Sequence, residues 1–290
     1  MDRHYKIMYH YHCGFSVQVG STLFIFDYWE GDDRSLSPSG KITPSILQAY
    51  ERIYVFVSHD RGHHFDPIIY TWIKDYPKLP ITYVVANDVL IGTKGKRLAP
   101  LKRLQLSPDI SVTAFGSTAH GVSLLVKVDG LHIFHAGNLN FWHWQSVNSA
   151  RRIEEAERKF EACLLPITKE QIDIAFFPVD PRLGNMCDAG ATRFIFEVKP
   201  RLFLPMHFQD RAEVAVDFAR RNKTAFTETL ALTTPGVMAT VTTDYTGKLV
   251  SIHIVDPPKE LPRPPVIQKE SLLFNEQDPF INSDQPVKFN

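Results

Sequence analysis

Ile53-Tyr54-Val55-Phe56-Val57-Ser58-His59-Asp60-Arg61-Gly62-His63-His64-Phe65 is the stretch on which the fold assignment turns. Its first five residues, all aromatic or branched apolar, read as a buried strand. Three histidines, His59, His63 and His64, follow within six residues, where the strand runs out into a loop. Imidazole is the commonest protein ligand for borderline metals, and loops leaving strand ends are where α/β sites are assembled. The stretch therefore predicts a metal-ligating loop at the carboxyl end of a strand.

Working outward, the same arrangement recurs. Asp27 follows the apolar run Thr22 to Phe26, Asn138 follows Gly137 after Leu131 to His135, and Asp180 follows Pro178 after Ile174 to Phe177. His207 follows Pro205-Met206 after Arg201 to Leu204, and His120 precedes the run Ser123 to Val128. Any one of these histidines alone reads as a structural residue. Together they predict that at least three surround one site, because loops from one sheet edge converge although distant in sequence. His10 and His12 fall on one face of the first strand, read here over Tyr9 to Val19, with His12 placed to approach the site from beneath.

The first half reads as short strands, with Ile81 to Ala86 and Ser111 to Phe115 added and turns at Gly20-Ser21 and Asp129-Gly130. Helices are predicted over Pro44 to Glu51, over Pro67 to Asp75 with Asp66 as N-cap, and over about Val147 to Leu164. Helix and strand then alternate, with helices over Ala191 to Val198 and Arg211 to Arg221 and strands over Val237 to Thr242 and Leu249 to Val255. Meander followed by alternation suggests two sheets between helix layers, an α+β arrangement. One domain over 1–256 is expected, followed by a Pro-rich extension over 257–290 that contains Pro257-Pro258 and Pro264-Pro265.

Composition narrows the classes. The 290 residues carry 32 basic and 32 acidic side chains, so no broad electrostatic footprint for nucleic acid or an anionic membrane is present. Apolar runs fall well short of the roughly 20 residues a membrane span needs, and the N-terminus lacks the apolar core of a signal peptide. Three cysteines, odd in number and without C-x-x-C spacing, argue against a disulfide framework and fit a reducing cytoplasm. There is no P-loop, no G-x-S-x-G elbow and no G-x-G-x-x-G fingerprint.

Val57-Ser58-His59 followed by His64-Phe65 resembles the H-x-H-x-D-H loop of the metallo-β-lactamase-fold hydrolases. Phe134-His135-Ala136-Gly137-Asn138 is similar to that superfamily's strand-Gly-Asp element, Leu204-Pro205-Met206-His207 to its closing Pro-Met-His element, and Thr22 to Tyr28 to its early strand ending in a structural Asp. The likeness covers roughly residues 5 to 255, and its flavour is that of the L-ascorbate 6-phosphate lactonase-like subgroup. It implies a four-layer αββα sandwich and hydrolysis by a metal-activated water. Carried over by position, it implies metal ligands at His59, His64 and His207, with His120 as a further one.

Two positions of the loop, and one beyond it, depart from that pattern. Arg61 stands where a second histidine belongs, and a guanidinium stays protonated and cannot ligate. His63 replaces the Asp of the loop, and Asn138 replaces the bridging Asp. The losses favour a single divalent transition metal, zinc foremost, over two metals or none. Either His63, His64 and His207 or His59, His120 and His207 would hold it with an open position for water. Arg61 and Arg182, with Asp180, are the candidate contacts to a small anionic substrate such as a phosphorylated metabolite, ester or lactone. The alternative is a catalytically silent descendant that binds a ligand or protein partner. The sequence leaves homo-oligomerisation open.

Overall fold

In a computed structural model of the chain, residues 2–31, 38–90, 95–144 and 149–256 are described. The apolar runs become strands: β1 (Arg3–Tyr11), β2 (Gly14–Val19), β3 (Thr22–Phe26), β4 (Arg52–Val57), β5 (Ile81–Ala86), β6 (Lys96–Leu98), β7 (Arg103–Ser107) and β8 (Ile110–Phe115). They continue as β9 (Ser123–Val128), β10 (Leu131–His135), β11 (Ile174–Pro178), β12 (Leu202–Met206), β13 (Glu228–Thr229), β14 (Met238–Thr243) and β15 (Leu249–Val255). The helices are α1 (Pro44–Leu47), α2 (Thr71–Asp75), α3 (Ala150–Ile167), α4 (Ala189–Val198) and α5 (Ala212–Arg221).

One sheet runs β15-β14-β1-β2-β3-β4-β5-β6 and the other β13-β12-β11-β10-β9-β8-β7. The meanders β1-β2-β3 and β8-β9-β10 are antiparallel, whereas β3-β4-β5-β6 and β10-β11-β12-β13 are parallel. Parallel pairing sends the carboxyl ends of β3 and β4, and those of β10, β11 and β12, each to one edge of their sheet.

The two sheets face each other through aromatic rings. Phe15 of β2 stacks on Phe176 of β11 with centroids 4.4 Å apart, and Phe26 of β3 lies nearly parallel to the His135 ring at 5.4 Å. Successive strand residues point to opposite faces, so Phe177 turns outward to meet Phe194 of α4 at 4.7 Å and Phe160 of α3 at 6.4 Å. Phe203 of β12 likewise meets Phe218 of α5 at 5.4 Å. The first sheet's helical layer is thinner. Trp72 of α2 lies 5.4 Å from Tyr28, and the Tyr83 hydroxyl donates to the Ile69 carbonyl at 2.6 Å. Every residue of β11 and β12 is buried, as expected for parallel strands covered on both faces. The result is the αββα sandwich that the sequence predicted.

The structure corrects several boundaries. The run read as one strand over Tyr9 to Val19 is broken, because His12 adopts φ +53° and the chain reverses through Cys13 into β2. The helix expected over Pro44 to Glu51 is one turn, α1. The Pro67 to Asp75 segment is a 3-10 turn over Pro67–Tyr70 leading into α2, and Asp66 caps it by accepting from the Ile68 N–H at 3.0 Å. α3 starts at Ala150 behind Ser149, whose hydroxyl accepts from the Arg152 N–H. The expected start at Val147 lies outside the described residues, as does the Pro-rich segment 257–290. Among the described residues no helix is long and apolar enough to cross a membrane.

His10, buried on β1, donates from Nδ1 to the Gly40 carbonyl at 2.6 Å and lies 2.9 Å from the Ser16 hydroxyl through Nε2. Burial lowers its pKa to about 4, against the opposing pull of the Gly40 carbonyl. The unfolded chain takes up this proton near pH 6.5 and the folded chain only near pH 4. Folding stability from His10 is therefore complete above pH 6.5 and is lost as pH falls toward 4. The loss amounts to about 3 kcal/mol. Urea unfolding of metal-free protein at pH 7 and pH 4.5 should show a smaller difference for His10→Gln than for wild type; equal slopes would contradict the assignment.

Candidate metal centre

Five strands deliver polar residues to one edge of the sandwich. β3 ends at Asp27, β4 at Ser58-His59, β10 leads to Asn138, β11 to Asp180 and β12 to His207. The β1–β2 turn adds His12 to them. All of these residues are buried. The loop before β9 closes on them from the other sheet, where the Val122 N–H donates to the Ser58 carbonyl at 3.1 Å. Gly121 precedes it at φ +70°, and a Cβ there would overlap the Ser58 carbonyl oxygen, so the close approach requires glycine.

Asp27 organises the first half of the site. Its Oδ1 accepts from the Ser58 N–H at 2.7 Å, and its Oδ2 accepts from the Ser58 hydroxyl at 2.6 Å and from His64 Nδ1–H at 2.7 Å. Burial pushes the carboxyl's pKa up, while His135, His59 and the Ser58 donors pull the other way. With the proton of His64 held on Nδ1, its Nε2 carries the lone pair, and that buried atom has no hydrogen-bond partner in the protein.

Asp180 backs His207 in a similar way: Oδ2 lies 2.9 Å from His207 Nδ1, within ion-pair distance but outside hydrogen-bond geometry. Burial would raise the Asp180 pKa, but His207 and Arg182 outweigh it and hold the carboxyl well below the usual range. Arg182 grips the same carboxylate through Nε and a terminal nitrogen at 2.7–3.2 Å and lies over the Trp144 ring, 5.6 Å from its centroid. Trp142 is buried with its ring edge-on to His207 at 5.6 Å, and its Nε1–H donates to the Asn138 carbonyl at 3.0 Å. Of the aromatic segment 141–144, Trp142 is thus core and also a wall of the site.

The donor atoms fall into two groups, each within 4.8 Å internally. One comprises His12, Cys13, His64 and His207, the other Asp27, His59 and His64. Burial, reinforced by the neighbouring imidazoles, lowers the pKa values of His12, His59 and His64 well below the ordinary value. These imidazoles are therefore neutral at physiological pH, as ligation requires.

Neither sequence-derived ligand set is reproduced as written. His64 and His207 do come together, but His12 joins them rather than His63 or His120. Within the turn Gly62–His64, His63 leaves helical geometry at φ −87° and ψ +31°. His64 turns in to Asp27, while half-buried His63 packs on Trp29 at 4.3 Å with its ring 5.1 Å from that of His12. His120 is half-buried with its ring 6.3 Å from His59. His59 is engaged at both nitrogens: Nδ1 lies 3.1 Å from the Ser58 hydroxyl and Nε2 lies 2.9 Å from Asn138 Nδ2. The Ser58 hydroxyl proton is already directed at Asp27, so His59 donates from Nδ1 and accepts from the Asn138 amide at Nε2. Its lone pair is thereby used, and Asn138 serves as its partner. Arg61 is 63% exposed and 3.9 Å from Asp60, and Asp180 is wholly buried behind His207. Asp180 therefore orients His207, a role the sequence reading had assigned to substrate contact.

Carboxylate–imidazole pairs of this kind fix tautomer and ring direction at metal sites. A buried imidazole nitrogen without a partner costs about 1–3 kcal/mol unless something occupies it. His64 Nε2 and His12 Nδ1 both meet that description, so the residues fit a borderline divalent metal such as zinc.

Comparison with known proteins agrees on the fold. No protein-family model matches the chain. A UPF0173 metal-dependent hydrolase of Opitutus terrae is 21% identical over 229 residues, spanning 73% of this chain and 88% of that protein. Igni18, a metallo hydrolase from the hyperthermophilic archaeon Ignicoccus hospitalis, superposes with a TM-score of 0.58 at 16% identity, covering 83% of this chain and 99% of its own. The metallo-β-lactamase fold protein YhfI from Bacillus subtilis superposes with a TM-score of 0.53 at 11% identity over 80% and 98%. The chain has the metallo-β-lactamase fold.

Asp27→Asn exchanges one acceptor oxygen for a donor that faces Ser58 or His64. The substitution should cost about 2–3 kcal/mol in urea unfolding and weaken zinc affinity by about 10–100-fold. An unchanged midpoint and affinity would contradict the role given to Asp27.

Proposed function

We propose that this protein is a hydrolase that uses one divalent metal, zinc foremost, to cleave a small anionic ester, lactone or phosphorylated metabolite. The observation that carries the reading is the pair of buried carboxylate–imidazole couples, Asp27 with His64 and Asp180 with His207, beside a buried His64 Nε2 without a protein partner. The Opitutus protein, a metal-dependent hydrolase, and Igni18, a metallo hydrolase, support the same reaction class.

His64 and His207 would hold the metal, with a further ligand from the same cluster. A divalent ion there supplies Lewis acidity, polarising a carbonyl or phosphoryl oxygen and making water nucleophilic near neutral pH. The protein's part is orientation. Asp27 keeps the His64 proton on Nδ1, the Asp180 carboxylate lies against His207, Trp142 excludes water from one side of His207, and the Asn138 amide satisfies His59. With His59 so engaged, one metal is proposed rather than two. Arg61, exposed on the same loop, is proposed to meet the anionic group of the substrate, with partly exposed Arg182 as a second contact. The three cysteines are free thiols, which supports a reducing compartment such as the cytoplasm.

The test is metal analysis of protein purified without chelator, together with hydrolysis of chromogenic ester, lactone and phosphate substrates. About one metal per chain is expected. His64→Ala and His207→Ala should lose the metal, and turnover should fall by at least about 100-fold, near 2.7 kcal/mol in barrier. Full turnover after metal removal would overturn the reading. Bound metal with no turnover on any substrate would favour a ligand-binding descendant instead.

A further inference from the structure

We infer that the third metal ligand is His12, delivered by the β1–β2 turn, so that the centre is His12–His64–His207 with the remaining position open. The inference rests on the metal-dependent reading of this cluster and adds to it a residue that lies outside the histidine-rich loop.

Four observations place His12 in that role. Its donor atom lies within 4.8 Å of those of His64 and His207. Its ring packs against both of theirs, with centroids 4.1 Å from His207 and 5.4 Å from His64, which are themselves 5.5 Å apart. Its Nδ1 is buried without a hydrogen-bond partner, as is Nε2 of His64. Buried nitrogens without a partner are unfavourable, and one cation in this cluster would satisfy both.

The fourth observation is the backbone. A non-glycine residue at φ +53° pays roughly 1–2 kcal/mol. The turn is nonetheless pinned on both sides of the peptide. The His12 N–H donates to the Tyr9 hydroxyl at 2.9 Å, and the His12 carbonyl accepts from the His207 N–H at 3.1 Å. His207, at φ +67°, and Asp27, at φ +43°, share the same disfavoured region, and strain of this kind gathers at functional sites. A tetrahedral zinc with bonds of about 2.0–2.1 Å would hold its nitrogen ligands about 3.4 Å apart, a spacing that falls inside the 4.8 Å within which these atoms gather. Cys13 Sγ belongs to the same group of donors, and its participation would fill the position assigned here to water or substrate.

Cobalt(II) titration of the full chain distinguishes these arrangements. Wild type should bind about one cobalt with visible d–d bands and without a thiolate charge-transfer band. His12→Ala should weaken binding by at least about tenfold, whereas His59→Ala should leave the stoichiometry unchanged. His12→Cys should restore binding and add the thiolate band, a readout that stands even where His12→Ala fails to fold. Wild-type affinity in His12→Ala, no band in folded His12→Cys, or a thiolate band in the wild type would each overturn the assignment. Absence of any metal in the wild type would instead sink the hydrolase reading from which it starts.

Discussion

A carboxylate between two sheets, with no exposure to solvent, sets the terms for this molecule. Asp27 holds the Ser58 backbone, the Ser58 hydroxyl and the His64 ring at 2.6–2.7 Å. It thereby ties the end of β3 to the end of β4 and fixes which nitrogen of His64 carries the proton. A buried carboxyl is tolerated only where its oxygens are satisfied, and the residues satisfying it are those on which the site is built. Asp180 repeats the device from the second sheet through His207 and Arg182. The sandwich brings the two carboxylates to one edge, and the imidazoles they orient then meet there.

Much of the architecture was legible because burial on both faces leaves a plain mark. The strands β3, β4, β9, β10 and β11 are predominantly apolar, and their boundaries in the structure lie within a residue of those expected. The edge strands β6 and β7 were not read from the sequence: Lys96–Leu98 is short and mostly polar, and Arg103–Ser107 alternates polar and apolar residues over only five positions, none of them buried. The helix read over Pro44 to Glu51 was overextended, because a proline start and an apolar stripe do not say how soon a short connection must turn back.

The site was legible by residue type more than by partnership. His64, His207, His59 and Asn138 all reach it, as their positions after strand ends implied. Their roles depend on directions that spacing does not encode. His63 turns to Trp29 while His64 turns to Asp27, and Asn138 spends its amide on His59. His12 was read as approaching the site from beneath but not as a ligand, because the loose alternation of Tyr9 to Val19 masks a reversal with a left-handed residue at position 12. Arg182 looked free to bind an anion because its commitment to Asp180, two residues away, is made by a turn whose geometry the sequence does not state.

These details change the chemistry the fold supports. A loop that has exchanged a histidine for Arg61 and an aspartate for His63 keeps a cluster of neutral imidazoles, backed by two carboxylates that stand one shell out. That arrangement suits a single cation and leaves His59 as a hydrogen-bonded support. The claim can be read directly from the protonation of the rings. Long-range proton–nitrogen NMR correlation of the metal-free protein at neutral pH should find His64 neutral with the proton on Nδ1, and zinc should move the ring-nitrogen resonances of His64 and His207. A proton on His64 Nε2, or resonances indifferent to zinc, would contradict the account.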